Sequence, residues 1–159
     1  MNKINFKYLF MSIILCQLAG FIGSFFTRMS VSTWYPTLIK PQLAPPAWIF
    51  APVWITLFTL MGISLYLIIN MKPESIFYFK KAISIFAIQL LLNVLWSAAF
   101  FGLHSPLSGL IVIIFLWLLI LFNIIEFYKI SKTAGILLIP YILWVSFAAY
   151  LNLGYWRLN

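Results

Sequence analysis

The sequence contains few residues of the types that most enzymes use for catalysis. Among its 159 residues there are two acids, Glu74 and Glu126, one cysteine, Cys16, and one histidine, His104. The two acids lie far apart, which argues against a carboxylate pair for general acid–base catalysis. One cysteine allows neither an internal disulfide nor a zinc site, and the sequence has no Gly-rich phosphate loop or hydrolase elbow. We therefore predict no catalytic residue, no metal site and no obligatory cofactor.

Two interpretations fit the single histidine. His104 lies in a short loop between Gly102 and Pro106. It could serve as an axial ligand of haem iron. A histidine in such a loop is more often solvated, and the sequence favours this second interpretation.

Charged residues are also scarce, at 8% of the chain against about 25% in soluble globular domains. Ten of them are Lys or Arg and two are acids, which gives a net charge of +8. The lysines flank apolar runs and do not form the basic patch that neutralises nucleic acid phosphates. This composition predicts an integral membrane protein that does not bind nucleic acid.

Five apolar segments are long enough to cross a bilayer, because a spanning helix needs about 20 apolar residues. The segments are continuous and do not alternate with polar residues, which favours helices over a β-barrel. Lys72-Pro73 marks one of the breaks between them, and Pro140 is expected to kink the fifth span. We predict an all-α membrane protein, a five-helix bundle that forms one domain over residues 1–159. The predicted spans are residues 8–27, 48–69, 82–101, 107–127 and 134–153.

The distribution of basic residues predicts the orientation of the chain. The first apolar run continues to Phe26, too far for a signal peptide, so we predict a retained helix. In a membrane that obeys the positive-inside rule, the N-terminus lies in the cytoplasm and the proline-rich first loop outside, and the sequence does not distinguish an inner from an outer membrane. The predicted inner side carries Lys3, Lys7, Lys72, Lys80, Lys81, Lys129 and Lys132, and the outer side carries Arg28, Lys40 and Arg157.

The first loop, residues 34–54, is rich in proline and tryptophan. It holds five prolines and three tryptophans, including Trp34. Proline limits the conformations that the loop loses on ordering, and tryptophan offers a large flat face with one N–H donor. Such a loop suits the capture of a flat apolar ligand. The alternative is an aromatic belt at the level of the lipid headgroups, and for Trp34 alone the belt is favoured.

Polar, small and aromatic side chains recur at helical spacing on three spans. If these faces converge, they form an apolar aromatic pocket with a few amide and hydroxyl groups, which is typical of small-molecule sites. The alternative is that the amides only join neighbouring helices, at about 0.6 kcal/mol each. The faces are Trp48, Ala51 and Ile55 on the second span, Gln89, Asn93, Trp96 and Ser97 on the third, and Tyr141, Trp144, Ala148, Asn152 and Tyr155 on the fifth.

Blocks of residues over most of the chain resemble one family closely. This family is the tryptophan-rich sensory protein, also called translocator protein or peripheral benzodiazepine receptor, and the chain resembles its bacterial members. The fourth span matches mainly in being apolar. The matching residues are Trp34-Tyr35, Lys40-Pro41, Pro45-Pro46, Trp48, Pro52-Val53-Trp54, Met61-Gly62, Gln89-Leu90, Asn93, Trp96, Phe100-Phe101-Gly102, Pro140-Tyr141, Trp144, Phe147-Ala148, Leu151-Asn152 and Trp156.

The resemblance implies a five-helix bundle, usually a homodimer, with a ligand cavity under the first loop. Family members bind porphyrins such as protoporphyrin IX and haem, and many bind sterols or isoquinoline carboxamides. The implied function is a receptor or sensor in tetrapyrrole or stress regulation. The residues that would line the cavity here are Trp48, Ala51, Asn93, Trp96, Tyr141, Trp144, Ala148 and Leu151.

The resemblance also implies two alternative activities. One is light-dependent degradation of porphyrin, which would rely on Trp48 and Trp144. The other is transport of porphyrin or sterol, which five spans with no internal repeat and no intramembrane charge pair support only weakly.

Further residues are expected at the edge of the cavity. Arg28 or Lys40 at the outer rim, near Trp34, is expected to meet the acidic propionates of a porphyrin. A loose sterol-recognition pattern is formed by Leu151, Tyr155 and Arg157. On the first span, Ser12, Cys16, Gly20 and Ser24 allow close helix contact, either inside the bundle or across a dimer.

Overall fold

The computed structural model describes residues 4–71 and 75–159, in which the chain forms helices and no strand. Five of these helical segments are long and apolar enough to span a membrane, which confirms the predicted all-α, five-span fold. The elements are α1 (Phe6–Ser30), α2 (Phe50–Met71), α3 (Ile76–Ser97), α4 (Pro106–Ile130), α5 (Lys132–Leu137) and α6 (Ile139–Leu158), with a π-helical turn at Ala98–Gly102 and 3-10 turns at Tyr35–Thr37 and Ala47–Ile49.

Polar caps start several helices slightly before the predicted apolar spans. The side chain of Asn5 accepts a hydrogen bond from the Tyr8 N–H at the start of α1. Ser105 and Ser131 cap α4 and α5 in the same way. Such side chains satisfy backbone donors that have no partner in the first helical turn. The caps lie outside the apolar runs, so hydropathy alone underestimates the helix lengths.

The fifth span is broken rather than only kinked. α5 ends at Leu137, and α6 begins at Ile139 with Pro140 in its first turn. Proline is tolerated there because the first N–H groups of a helix have no intrahelical acceptor. The prediction that Pro140 disturbs this span is confirmed, and the disturbance divides it into two helices.

The bundle is held together by close contacts between neighbouring helices. α1 packs on α2 and α3, α4 packs on α3 and α6, and α2 packs on α5. Gly62 permits the contact between α1 and α2, since a Cβ at this position would lie 2.5 Å from the Cα of Ile13. A Cβ at Gly20 would meet the ring of Phe58. Ser12, Cys16 and Gly20 of α1 therefore pack inside the bundle, whereas Ser24 is only half-buried.

One end of the bundle carries an ion-pair cluster. The Nζ atoms of Lys81 and Lys129 lie 3.0 and 2.8 Å from Oε1 of Glu126, which joins the start of α3 to the end of α4. This end holds the lysines on which the orientation prediction rests, although Lys3 and Lys72 lie outside the described residues. The Lys72-Pro73 break and Glu74 also lie outside them. Which end faces the cytoplasm stays a prediction.

Candidate functional site

Aromatic rings from three helices meet near the opposite end of the bundle. Trp54 of α2 is central: its ring centroid lies 6.5 Å from that of Trp96 on α3 and 6.3 Å from that of Tyr141 on α6. Phe50 of α2 meets Trp144 of α6 edge-to-face at 6.1 Å. These five rings, here called the aromatic cluster, form two contacting groups that join α2 to α3 and α6. Edge-to-face and offset geometries are the favourable arrangements for such rings.

A chain of hydrogen bonds lies next to this cluster in the bundle interior. Asn93 Nδ2 donates to the hydroxyl of Tyr141 at 2.8 Å, and that hydroxyl donates to Oε1 of Gln89 at 3.0 Å. All three side chains are buried. Because the tyrosine hydroxyl has one hydrogen, accepting from Asn93 directs its own donation to Gln89. In this chain, here called the amide relay, the oxygen end of the Gln89 amide faces Tyr141.

A second amide positions Trp96. The indole Nε1 of Trp96 donates to Asn152 Oδ1 at 3.0 Å, and Asn152 Nδ2 donates to the carbonyl of Pro106 at 2.7 Å. Asn152 thus joins α6 to both α3 and the start of α4. Gly109 leaves room for it, since a Cβ there would lie 2.9 Å from Asn152 Oδ1. The orientation of the Trp96 ring is consequently set by three helices.

Two hydrogen-bond donors at this site have no acceptor. In residues 4–71 and 75–159, the buried side-chain atoms without a partner are Trp144 Nε1, Gln89 Nε2 and Asn123 Oδ1. Trp144 belongs to the aromatic cluster and Gln89 to the amide relay. We call Trp144 Nε1 and Gln89 Nε2 the two open donors. Asn123 lies elsewhere, beside Ala82 near the ion-pair end. A buried donor without an acceptor costs free energy, so both atoms point to a missing acceptor.

Residues 31–49, the loop between α1 and α2, cover this end of the bundle, and we call them the roof. Tyr35, Leu151 and Tyr155 are buried together with Phe100 of the π-helical turn. Within that turn the Leu103 N–H donates to the Ala98 carbonyl at 2.9 Å. Turns of this type are frequent at functional sites.

His104 joins the roof to the helix ends. Its ring stacks on Trp34 with 4.8 Å between centroids, and its Nε2 lies 2.9 Å from Ser30 Oγ. Ser30 Oγ in turn donates to the Phe101 carbonyl at 2.6 Å. Since the serine has one hydrogen to donate, the contact with His104 requires a proton on Nε2. His104 is therefore engaged in a structural contact, although its side chain remains exposed.

Most of the predicted site residues come together. The aromatic cluster contains Trp96, Tyr141 and Trp144, and the amide relay contains Asn93. Ala148 and Leu151 are buried on the same helix as Trp144, at 8% and 4% exposure. Whether these residues contact a ligand stays a prediction.

The face predicted for the second span differs from the observed one. Trp48 is 73% exposed, and Ala51 and Ile55 are also exposed on the outside of the bundle. The inward face of α2 instead carries Trp54, Phe58 and Met61, which recur at helical spacing. The prediction that the Trp48 face points into the bundle is wrong because residues 48–55 include no polar side chain that would mark the inward face of α2.

The residues predicted at the rim lie at this end of the bundle. Arg28 is exposed in the last turn of α1, and Trp34 is half-buried in the roof. Lys40 is exposed, with its Nζ 6.0 Å from the centroid of the Tyr35 ring. Of the sterol pattern, Leu151 and Tyr155 face the interior whereas Arg157 is exposed. These three residues therefore do not share one lipid-facing surface.

The five-span fold and the family match described next define an integral, multi-pass membrane protein of the sensor and receptor class. Residues 12–157 match the TspO/MBR family, and the chain belongs to that family. It is 45% identical to the tryptophan-rich protein TspO of Chlorobaculum tepidum over 161 residues, which cover 100% of this chain and 99% of that protein. It is 34% identical to the translocator protein of Bos taurus over 149 residues, covering 92% and 86%. It is also 32% identical to the tryptophan-rich sensory protein of Cereibacter sphaeroides over 126 residues, covering 79% and 77%.

Proposed function

We propose that this protein is a membrane receptor that binds a flat tetrapyrrole, such as protoporphyrin IX or haem, at the aromatic cluster. The observation that carries the proposal is the indole N–H of Trp144, which is buried beside Phe50 and has no acceptor in the described part of the chain. A ligand oxygen at this position would remove the cost of burying that donor.

The chemistry of the cluster fits a large planar apolar ligand. Each aromatic contact contributes roughly 0.5–1.5 kcal/mol beyond area burial. Burying the apolar disc itself contributes about 25 cal/mol per Å² removed from water or from a polar interface. The indoles of Trp54, Trp96 and Trp144 supply the faces, so stacking and burial together would provide most of the affinity.

The ligand would enter by separating side chains between α2 and α6. Two edge-to-face ring contacts join these helices, Phe50 with Trp144 and Trp54 with Tyr141. One acidic propionate of a porphyrin would accept from Trp144 Nε1, and the other would lie at the outer rim, where Arg28 and Lys40 offer positive charge. Binding of the ligand would then alter the packing of the roof above Trp96, which is the change that a sensor needs.

A sterol is a second ligand for the same apolar site. A homodimer remains the expected assembly.

A binding measurement tests this proposal. Protoporphyrin IX is titrated into the detergent-solubilised protein and its fluorescence gives Kd. Trp144→Phe keeps an apolar ring but removes the donor, and we expect it to weaken binding about three- to tenfold, the equivalent of one hydrogen bond. Trp117→Phe is the matched control, because the Trp117 indole already donates to Ser146 Oγ at 2.8 Å. Equal affinities for the wild type and Trp144→Phe would reject the placement.

A further inference from the structure

The second open donor, Nε2 of Gln89, has a consequence for the kind of ligand that the cluster accepts. Gln89 is only 1% exposed, and its Nε2 has no partner among the described residues. An amide NH2 group has two N–H donors, so this atom leaves more donor capacity unused than the single N–H of Trp144 does. Natural cores rarely leave such a group without a partner.

In the amide relay, the nitrogen end of Gln89 is the end that remains open. The Tyr141 hydroxyl accepts from Asn93 and donates to Gln89 Oε1, so the oxygen end of the Gln89 amide is occupied. The nitrogen end is left without an acceptor in the part of the chain that the structure describes. The relay therefore presents a donor, and a ligand group that meets it has to be an acceptor.

The relay is adjacent to the aromatic cluster. Tyr141 belongs to both, and its ring meets that of Trp54 edge-to-face at 6.3 Å. Gln89 precedes Asn93 by about one turn of α3, which places it on the side away from the π-helical turn and the roof. A planar ligand stacked on Trp54 would have one edge toward the rim cations and the other toward Gln89.

From these contacts we propose that Gln89 is a specificity-determining residue. It selects ligands that carry a carbonyl-type hydrogen-bond acceptor on the edge buried in the bundle. This inference rests on the proposed function, because it concerns the ligand of the same aromatic cluster. A buried donor that finds no partner in one ligand and a good partner in another discriminates between them more strongly than an extra apolar contact does.

Two porphyrins of nearly the same shape test the inference. Protoporphyrin IX carries vinyl groups on the edge opposite its propionates, and diacetyldeuteroporphyrin IX carries acetyl carbonyls at the same positions. We expect the wild type to bind the diacetyl compound about three- to tenfold more tightly, as one additional hydrogen bond predicts. This comparison uses only the wild-type protein, so it does not depend on the folding of a variant.

A pair of variants assigns the preference to Gln89. Gln89→Met keeps the size and flexibility of the side chain but removes the donor, and it should bind both porphyrins equally. Asn123→Leu is the matched control, since it also replaces a buried amide on a spanning helix but lies at the ion-pair end. It should retain the wild-type preference.

The outcomes separate this inference from the proposed function. If the wild type binds neither porphyrin, the proposed function fails. If it binds both with the same affinity, the proposed function stands and the role of Gln89 is overturned. A preference that persists in Gln89→Met would also overturn that role, because the acetyl groups would then be recognised elsewhere.

Discussion

The hydroxyl oxygens of Tyr35 and Tyr155 lie 2.6 Å apart in a buried contact that joins the first loop to the end of α6. One hydroxyl donates to the other, so each of the two oxygens has a hydrogen-bond partner. The same two elements are joined again where Asn159 Oδ1 accepts from the Ile39 N–H at 2.9 Å and its Nδ2 donates to the Ile39 carbonyl at 3.2 Å. The roof over the aromatic cluster is therefore fastened to α6 at two places.

Removing one tyrosine hydroxyl should destabilise the roof more than removing both. Tyr35→Phe or Tyr155→Phe alone leaves a buried hydroxyl without a partner, at a cost of about 1–3 kcal/mol. The double variant leaves none and should recover part of that loss. Thermal unfolding in detergent and hydrogen exchange of residues 31–46 measure the effect. Tyr150→Phe serves as the control, because its exposed hydroxyl makes only a 3.5 Å contact with the Gln42 carbonyl. Additive losses in the double variant would contradict this coupling.

Gly109 is expected to be intolerant of any side chain. A Cβ there would lie 2.9 Å from Asn152 Oδ1 and from Phe100 Cβ, so Gly109→Ala should displace the amide that holds Trp96. Overpacking of this kind costs about 1–3 kcal/mol. Unfolding temperature and porphyrin affinity should both fall.

Gly102→Ala is the comparison for this effect. A Cβ at Gly102 would meet the ring of Phe26 at 3.0 Å, and that side chain can move. The loss in this variant should be smaller. If Gly109→Ala bound porphyrin as tightly as the wild type, Asn152 would not be needed to position Trp96.

Leu43 is held in a conformation that favours glycine. Its φ is 70°, and it occupies the third position of a turn in which the Ala44 N–H donates to the Pro41 carbonyl at 3.2 Å. A turn with positive φ at that position prefers glycine. Leu43→Gly should therefore slow hydrogen exchange in the loop, whereas Leu43→Val should accelerate it, because β-branched residues tolerate positive φ least. If Leu43→Gly accelerated exchange and Leu43→Val slowed it, the leucine side chain, which is 71% exposed, would stabilise the turn by contacting groups outside this chain.

The sequence predicts which side of a spanning helix faces inward only where that helix carries polar residues. The five spans follow from apolar length, and the inward faces of α3 and α6 follow from Asn93, Tyr141 and Asn152, which have to be buried with partners. The first turns of α2 carry no such polar residue. The sequence therefore predicts that Trp48 faces inward, whereas the structure places Trp54 there. Where the turns of a helix are apolar on every side, packing and not composition decides which side faces inward.

The hydrogen-bond partners could not be predicted from residue spacing. Spacing places Gln89 and Asn93 on one face of α3, but it does not reveal that the Tyr141 hydroxyl lies between them. It also does not reveal that Trp96 has an acceptor whereas Trp144 has none among the described residues. Such differences depend on distances between helices that are far apart in the sequence.

The most direct test follows the indole N–H of Trp144 itself while the ligand binds. With 15N-labelled tryptophan, each indole gives one NMR signal, and the signal lost in Trp144→Phe identifies Trp144. On titration with protoporphyrin IX, we predict that the Trp144 signal moves downfield as its N–H acquires an acceptor, while that of Trp117 stays in place. Saturable binding of protoporphyrin IX with an unchanged Trp144 signal would contradict the proposed site.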